Sequence, residues 1–395
     1  MTLLKTAFWA SAGLLVYTHA GYPAALAALD RVRGARRAGG SGAPSAGGPG
    51  AGAPGAGGPV AGAELPGVSV IVAAYAEEAV IAERVANLRA LEYPADRLQV
   101  IVACDGSPDR TAERARAAGA DLVLELPRGG KVRAQDAGVR HARHEITAFS
   151  DANVTWSPDA LRRLVEPFAD PQVGYVCGQV RFVNDRGTNQ EGLYWRYEMA
   201  VRALESRLAS VTGGNGAIYA TRRQSYIVVD PIMGHDLSFP FNMVKRGWRA
   251  VYASEARASE KMVPSIEGEF RRKRRMMSHG WPILVRGGML SPRGYDAGYA
   301  TMIVSHRALR YVSPFLHIAA LAAGVALIGQ GWVYVVATVL QAGLLAAALA
   351  ARLVPARPLL VARYYVLTTA SLAAGLWDWL AHGTHAGWDA AEGTR

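Results

Sequence analysis

Val68-Ser69-Val70-Ile71-Val72-Ala73-Ala74, running into Tyr75-Ala76-Glu77-Glu78, is the stretch that decides the fold. It is short, rich in β-branched residues and apolar without alternation, which reads as a strand buried on both faces. Similar runs recur at 98–103 (LQVIVA), 121–124 and 146–149. Helical stretches fall between them near 79–91, 111–118 and 132–142. This βαβαβαβ order predicts an α/β domain with a mostly parallel sheet and helices on both faces. In such sheets ligands bind beyond the C-terminal strand ends.

Around that core the 395-residue chain is uneven. It is 51% hydrophobic and 19% charged, with 43 Lys and Arg against 32 Asp and Glu, for a net charge of +11. Its mean hydropathy of +0.09 excludes wholesale disorder. Two cysteines, Cys104 and Cys177, exclude a disulfide scaffold and offer no zinc spacing. The positive excess points to a polyanionic partner, leaving nucleic acid, membrane lipid and a phosphorylated substrate open on composition alone. Four apolar stretches, near 8–29, 312–328, 332–353 and 359–380, have lengths near that of a membrane-crossing helix. Arg31, Arg33, Arg36 and Arg37 follow the first, favouring a cytoplasmically flanked anchor over a cleaved signal. Counting crossings places Arg352 and Arg357 inside and the tail outside. Buried soluble helices are the alternative for the Ala-rich stretches. The expected organisation is a transmembrane helix at 7–30, a Gly/Ala/Pro tether at 38–64 and an α/β domain at 65–265. Interfacial helices at 266–310, three transmembrane helices at 311–381 and a tail at 382–395 follow.

The strand ends carry the candidate chemistry. Tyr75 with Glu77 and Glu78 suits a nucleobase and ribose, and no Gly-x-Gly-x-x-Gly is present. The two glutamates serve equally well as favourable charges at the next helix N-terminus. Asp105-Gly106-Ser107-Pro108-Asp109 offers Asp105 to a base or ribose, or is plain turn chemistry with Asp109 as a helix cap. Gly129-Gly130-Lys131 opens a helix with flexible backbone and a cation, a combination that suits phosphate, although Lys131 also reads as a surface lysine. Asp151-Ala152-Asn153, just past a strand, places two oxygen-bearing side chains near one another for a hard divalent cation, or forms a turn.

In this joint order the residues resemble a family-2 glycosyltransferase with a GT-A fold. They resemble most the membrane-embedded synthases of poly-N-acetylglucosamine, hyaluronan and cellulose. The segment from Glu191 to Glu198, Gly213-Gly214-Asn215-Gly216 and His235-Asp236 extend the likeness. The resemblance implies that Tyr75, Glu77 and Asp105 hold the uridine of a UDP-sugar and that Lys131 lies near its diphosphate. Asp151 and Asn153 stand at the Asp-x-Asp metal motif, implying Mg2+ or Mn2+. Asp236 is implied as general base, although His235 replaces the preceding acidic residue. Trp195, Gly214, Asn215 and Gly216 are implied to border the acceptor. Where processive relatives carry Gln-x-x-Arg-Trp, Arg272 replaces Gln, Arg275 is kept to meet the diphosphate, and Met276 replaces Trp. Headgroup attraction is expected to account for most of the basic run 271–275.

The expected function is therefore transfer of a sugar, from UDP-N-acetylglucosamine or UDP-glucose, to a β-linked polysaccharide or glycolipid at the cytoplasmic membrane. The catalytic domain is expected to face the cytoplasm. The acceptor would be a polysaccharide or a lipid-linked sugar, and a membrane partner subunit is left open. Two alternatives stand beside it: a non-processive transferase adding one sugar to a lipid-linked acceptor, and a catalytically silent export scaffold. Nucleic acid is not expected as a partner, because the charge clusters near the membrane without a binding motif.

Overall fold

The computed structural model describes residues 1–39, 64–183, 192–261, 263 and 265–387. Most of the expected tether, Glu191 and tail residues 388–395 lie outside the described residues.

Strands β1 (Val68–Ala74), β2 (Leu98–Asp105), β3 (Leu122–Leu126) and β4 (Ile146–Asp151) alternate with helices α1 (Ile81–Arg89), α2 (Thr111–Ala117) and α3 (Lys131–Arg140). Every residue of β1 and β2 is buried, which is why their sequences are continuous apolar runs rather than alternating ones. Four more strands complete one sheet: β5 (Val154–Trp156), β6 (Val173–Val183), β7 (Tyr219–Arg222) and β8 (Arg249–Lys261). The order is β3-β2-β1-β4-β7-β6-β8-β5. Strands β1 to β4 pair in parallel, β7 runs antiparallel to both neighbours, and β5 runs antiparallel to β8. The expected α/β, mostly parallel architecture is what forms.

The second half of the sheet is poorly marked in sequence because it is irregular. The β6–β8 register shifts between Val173 and Tyr175 and again between Cys177 and Gln179. Gly174 and Gly178 sit at those shifts, where a Cβ would meet Trp248 at 2.9 Å and the Ala256 carbonyl respectively.

Helices frame this sheet. The first helix of the chain, Thr2–Val16, continues through a π-helical turn, Tyr17–Gly21, into Tyr22–Gly39. Phe8 packs edge-on to Tyr334 at 4.8 Å. From Tyr22 onward the helix faces protein: the Tyr22 hydroxyl donates to Glu205 at 2.6 Å, and Asp30 pairs with Arg207 at 2.8 Å. Its partner is helix α4 (Gly192–Leu208). The C-terminal part of the expected 7–30 span is thus packed against protein. Helix α5 (His235–Lys245) precedes β8, and α6 (Ile266–Val285) follows it. Three C-terminal helices, Ala297–Ala326, Trp332–Ala350 and Arg357–His382, are long and apolar enough to cross a membrane.

The last of these lies along α6. Arg363 pairs with Glu267, Lys273 donates to the Tyr364 hydroxyl at 2.8 Å, and Trp281 donates to the Leu372 carbonyl at 2.8 Å. Arg274 meets Asp378 at 2.6 Å. Within α6, Arg272 pairs with Glu269 at 2.7 Å. Three of the five basic residues at 271–275 are therefore engaged within the protein, so headgroup attraction does not account for most of that run. The tail also departs from expectation. Thr384 donates to the Ser278 carbonyl at 2.7 Å, and the Ala386 carbonyl approaches Gly130 in the α/β domain. Residues 383–387 therefore lie beside the α/β domain, not across a membrane from it.

Close packing of the last helix on α6 needs Gly375, where a Cβ would stand 2.5 Å from the Cβ of Met277 and 2.8 Å from the Arg274 carbonyl. Gly375→Val is expected to destabilise the detergent-solubilised protein by about 1–3 kcal/mol, read as a lowered melting temperature. An unchanged melting temperature would show that the two helices are not held this closely.

Candidate functional site

The parallel register sets the site. Ala73 pairs with Asp151 and Ala74 with Cys104, so Tyr75, Asp105 and Asp151 emerge at one edge of the sheet. The β1 loop then turns through Ala76, whose φ of 51° is unusual for a residue with a side chain. The β2 loop holds it there. Ser107 Oγ accepts from Ala76 N at 3.2 Å, Thr111 Oγ1 from Glu77 N at 2.9 Å, and Asp109 from Glu78 N at 3.1 Å. Asp109 also accepts from Thr111 N at 3.1 Å, but the N-cap of α2 is Arg110, one residue later than expected, so Asp109 braces the turn before the helix. Tyr75 lies under Arg128, with the guanidinium carbon 3.2 Å from the ring centroid.

Asp105 is 1% exposed. Its carboxylate accepts from Gly129 N at 2.6 Å, from Gly130 N at 2.9 and 3.0 Å, and pairs with Arg128 at 3.1 Å. It therefore shapes the glycine loop instead of presenting open oxygens to a ligand. Gly130, at φ 95°, leads directly into Lys131 and α3.

Lys131 joins the parts. Its ammonium bonds to Asp151, and Gly216 sits so close that a Cβ there would be 3.2 Å from Lys131 Nζ and 3.7 Å from Asp151 Oδ2. Burial works to lower the Lys131 pKa, but the charges of Asp151, Asp236 and Glu260 carry it above the ordinary lysine value. Asp151 contacts this cation directly, and Asp236, distant in the chain, lies near enough for its charge to act on it. Asp236 lies in the first turn of α5. Its backbone carbonyl accepts from Gly214 N at 2.7 Å.

The loop before β7 is fixed from several sides. Arg202 donates to the Gly214 carbonyl at 3.0 Å, and Arg307 donates to Thr212 Oγ1 at 2.9 Å. His306 bonds to Glu205 at 2.7 Å, and Glu205 in turn accepts from Thr212 N at 3.1 Å. Asn215 donates to the Gly178 carbonyl at 2.7 Å and accepts from Ala217 N and Ile218 N, so its side chain builds the loop. Trp195 donates to the Val180 carbonyl at 2.7 Å and packs edge-on to Phe182 at 5.0 Å. Met276 is exposed, and Trp281 is 6% exposed against Tyr311 and Leu372, so Trp281 does not replace the missing tryptophan.

Three residues here escape sequence reasoning. Glu260, near the end of β8, receives a hydrogen bond from Asn153. Burial and then the charge of Asp151 push its carboxyl up to about 7, against the pull of Arg272 and Lys131. The α6 cation whose charge reaches this cluster is thus Arg272, while Arg275 is exposed. Arg84, 1% exposed, stacks over Trp156 at 4.9 Å, and burial lowers its guanidinium to about 9 despite Asp151. His235 is buried against Phe239, bonds to the Tyr219 hydroxyl at 2.8 Å, and is lowered to about 3 by burial and by Lys131. Only His235-Asp236 carried any signal, as a departure from the acidic pair.

No group of three or more His, Cys, Asp or Glu side chains poised for a metal occurs among the described residues. Asp151 and Asn153 nevertheless offer oxygen donors beside the crevice, the donor chemistry of a hard divalent cation.

Residues 66–279, more than half of the chain, match the family described as glycosyltransferase like family 2. The chain is similar to an N-acetylglucosaminyltransferase of Rhizobium leguminosarum bv. viciae, 28% identical over 53% of this chain and 54% of that protein. It is also similar to a poly-beta-1,6-N-acetyl-D-glucosamine synthase of Staphylococcus aureus, 23% identical over 56% of each. The chain spans about half the length of these relatives. A mannosyltransferase from Pyrobaculum calidifontis, solved in complex with GDP-Man and Mn2+, shares the fold with a TM-score of 0.63. The identity is 24%, over 80% of this chain and 88% of that one.

His235 yields a test of the site's packing. Because its folded pKa is depressed, the unfolded chain takes up the proton below about 6.5. Stability from neutral His235 is complete above that pH and lost as pH falls toward about 3, at up to about 1.4 kcal/mol per pH unit. His235→Asn should flatten the fall of melting temperature between pH 6.5 and 5; an unaltered slope would show that His235 is not buried neutral.

Proposed function

Because the chain belongs to glycosyltransferase family 2, we propose that it transfers a sugar from a UDP-sugar to a β-linked polysaccharide or a glycolipid. UDP-N-acetylglucosamine and UDP-glucose are the favoured donors. The Lys131–Asp151 contact, with the charge of Asp236 also acting on Lys131, carries this reading. It supports an acidic group for a donor-bound cation and another for an acceptor proton at one crevice. Two relatives named for N-acetylglucosamine transfer support the donor.

In this reading Tyr75 and Glu77 flank the nucleoside, and Asp105 holds Gly129 and Gly130 so that their loop and Lys131 meet the diphosphate. Asp151 with Asn153 would hold Mg2+ or Mn2+, which supplies charge neutralisation for the departing diphosphate. The acceptor hydroxyl forms its bond to C1 as the bond from C1 to the diphosphate oxygen breaks. The electron pair leaves with UDP and the hydroxyl proton passes to Asp236. Attack opposite the leaving group inverts an α-linked donor to a β-linkage. The Gly214–Gly216 backbone, with Trp195 further out, borders the acceptor, and Arg275 would approach the diphosphate from α6.

The three apolar helices support a place at the cytoplasmic membrane with the α/β domain on the inner face. The last helix has both ends beside α6, whose basic residues are incompatible with hydrocarbon, so we place it along the membrane surface rather than across it. A short-product reading is favoured by one observation: Met276 stands where processive relatives stack a tryptophan, and Trp281 is committed to packing.

Purified protein incubated with a panel of UDP-sugars and Mg2+ or Mn2+ should release UDP, and Asp236→Asn should lower kcat by about 10²–10⁴-fold. Product mass reads the number of sugars added. Full activity of Asp236→Asn would remove Asp236 as the base, and no turnover with any donor would overturn the transferase reading.

A further inference from the structure

Asp151-Ala152-Asn153 contains one carboxylate, whereas a hard divalent cation is held most firmly by several charged oxygens. The sheet brings a second carboxylate to the same place from the far end of the domain. Strand β5 begins immediately after Asn153, and its first residue, Val154, pairs with Glu260 of β8. Asn153 donates a hydrogen bond to Glu260, and Asp151, Glu260 and Asp236 all act on the Lys131 ammonium. We infer that Glu260 supplies the second carboxylate of the divalent-cation site, with Asn153 as the residue that positions it. This rests on the transferase reading above and adds to it a ligand more than a hundred residues away from the Asp151 motif.

Four physical observations carry the assignment. Asn153 and Glu260 both line a cavity of about 240 Å³, with Glu83, Arg84 and Lys261 on its wall and Asp151 outside it. Asp151 and Glu260 are like charges close enough to interact under partial burial, an arrangement that costs energy and that a bridging cation relieves. Lys131 bonds to Asp151, whereas the hydrogen bond to Glu260 comes from a neutral amide. Finally, Arg84 lines the same cavity while 1% exposed, and its Nε and Nη2 have no hydrogen-bond partner among the described residues. Buried donors of that kind match the water or phosphate oxygens that complete a cation's shell. An amide has both a donor and an acceptor, so Asn153 can orient Glu260 and still offer an oxygen.

The test is Mn2+ binding to the full-length protein in the presence of UDP, read from the electron paramagnetic resonance signal of free Mn2+. Calorimetry of UDP binding without metal checks the nucleotide site separately. Glu260→Gln is expected to weaken Mn2+ binding at least tenfold while leaving metal-free UDP binding within about twofold. A melting temperature in EDTA equal to or above that of the wild type would show that the variant is folded. Adding Asn153→Asp to Glu260→Gln returns a carboxylate to the site and should restore Mn2+ affinity to within about threefold of wild type. Wild-type Mn2+ affinity in Glu260→Gln would overturn the assignment and leave the transferase reading intact. Failure of Asn153→Asp to rescue would also overturn it. A wild-type protein that binds neither UDP nor Mn2+ with UDP would bring down both.

Discussion

The ion pair between Lys131 and Asp151 is the contact on which the site's arrangement depends. It ties the first residue of α3 to the last residue of β4 across the crevice between β4 and the glycine loop. The reach of Lys131 is set by Asp105, whose buried carboxylate fixes the two glycines before it. Gly216 permits the approach, since a side chain there would press on both members of the pair. Removing one member of a buried ion pair leaves the other charge uncompensated, a larger penalty than the pair's net contribution to stability. The pair is thus better understood as a device for placing charge than as a source of stability.

The loop that faces this pair is held from the membrane side. Thr212 accepts from Arg307 and donates to Glu205, Glu205 is bonded to His306 and to Tyr22 of the first helix, and Glu198 pairs with Arg310 at 2.5 Å. Four elements contribute to this polar network, so the first helix and the C-terminal bundle share in positioning Gly213 to Gly216. A polar network of this kind gives specificity only when its members are satisfied. Movement of the helices in a bilayer would therefore reach the loop through hydrogen bonds as well as packing.

Strands β1, β2 and β4 were legible because burial on both faces demands continuous apolar residues, a pattern local in sequence. Asp151, Lys131 and Asp236 were legible because each follows or opens a regular element at a predictable place. The β6–β8 half was not, since glycine bulges and a mixed pattern break the period that marks a strand. The contacts of Asp105 were not legible: a carboxylate 1% exposed spends oxygens on the neighbouring Gly129 and Gly130 amides. The basic run at 271–275 was read as a headgroup patch because sequence shows charge without showing partners. Glu269, Tyr364 and Asp378 engage Arg272, Lys273 and Arg274 through one turn of helix or across to another helix.

Local apolar periodicity was sufficient for the parallel half of the sheet, the glycine loop and the apolar helices, because burial and turn geometry act over a few residues. Tertiary structure alone decided that Glu260 meets Asn153 and that the tail returns to Gly130. It also decided that Trp281 belongs to the packing of α6. Those contacts join residues about a hundred or more positions apart, or turn a side chain to one face of a helix. They depend on strand order and helix packing, for which no short stretch of sequence carries a signal.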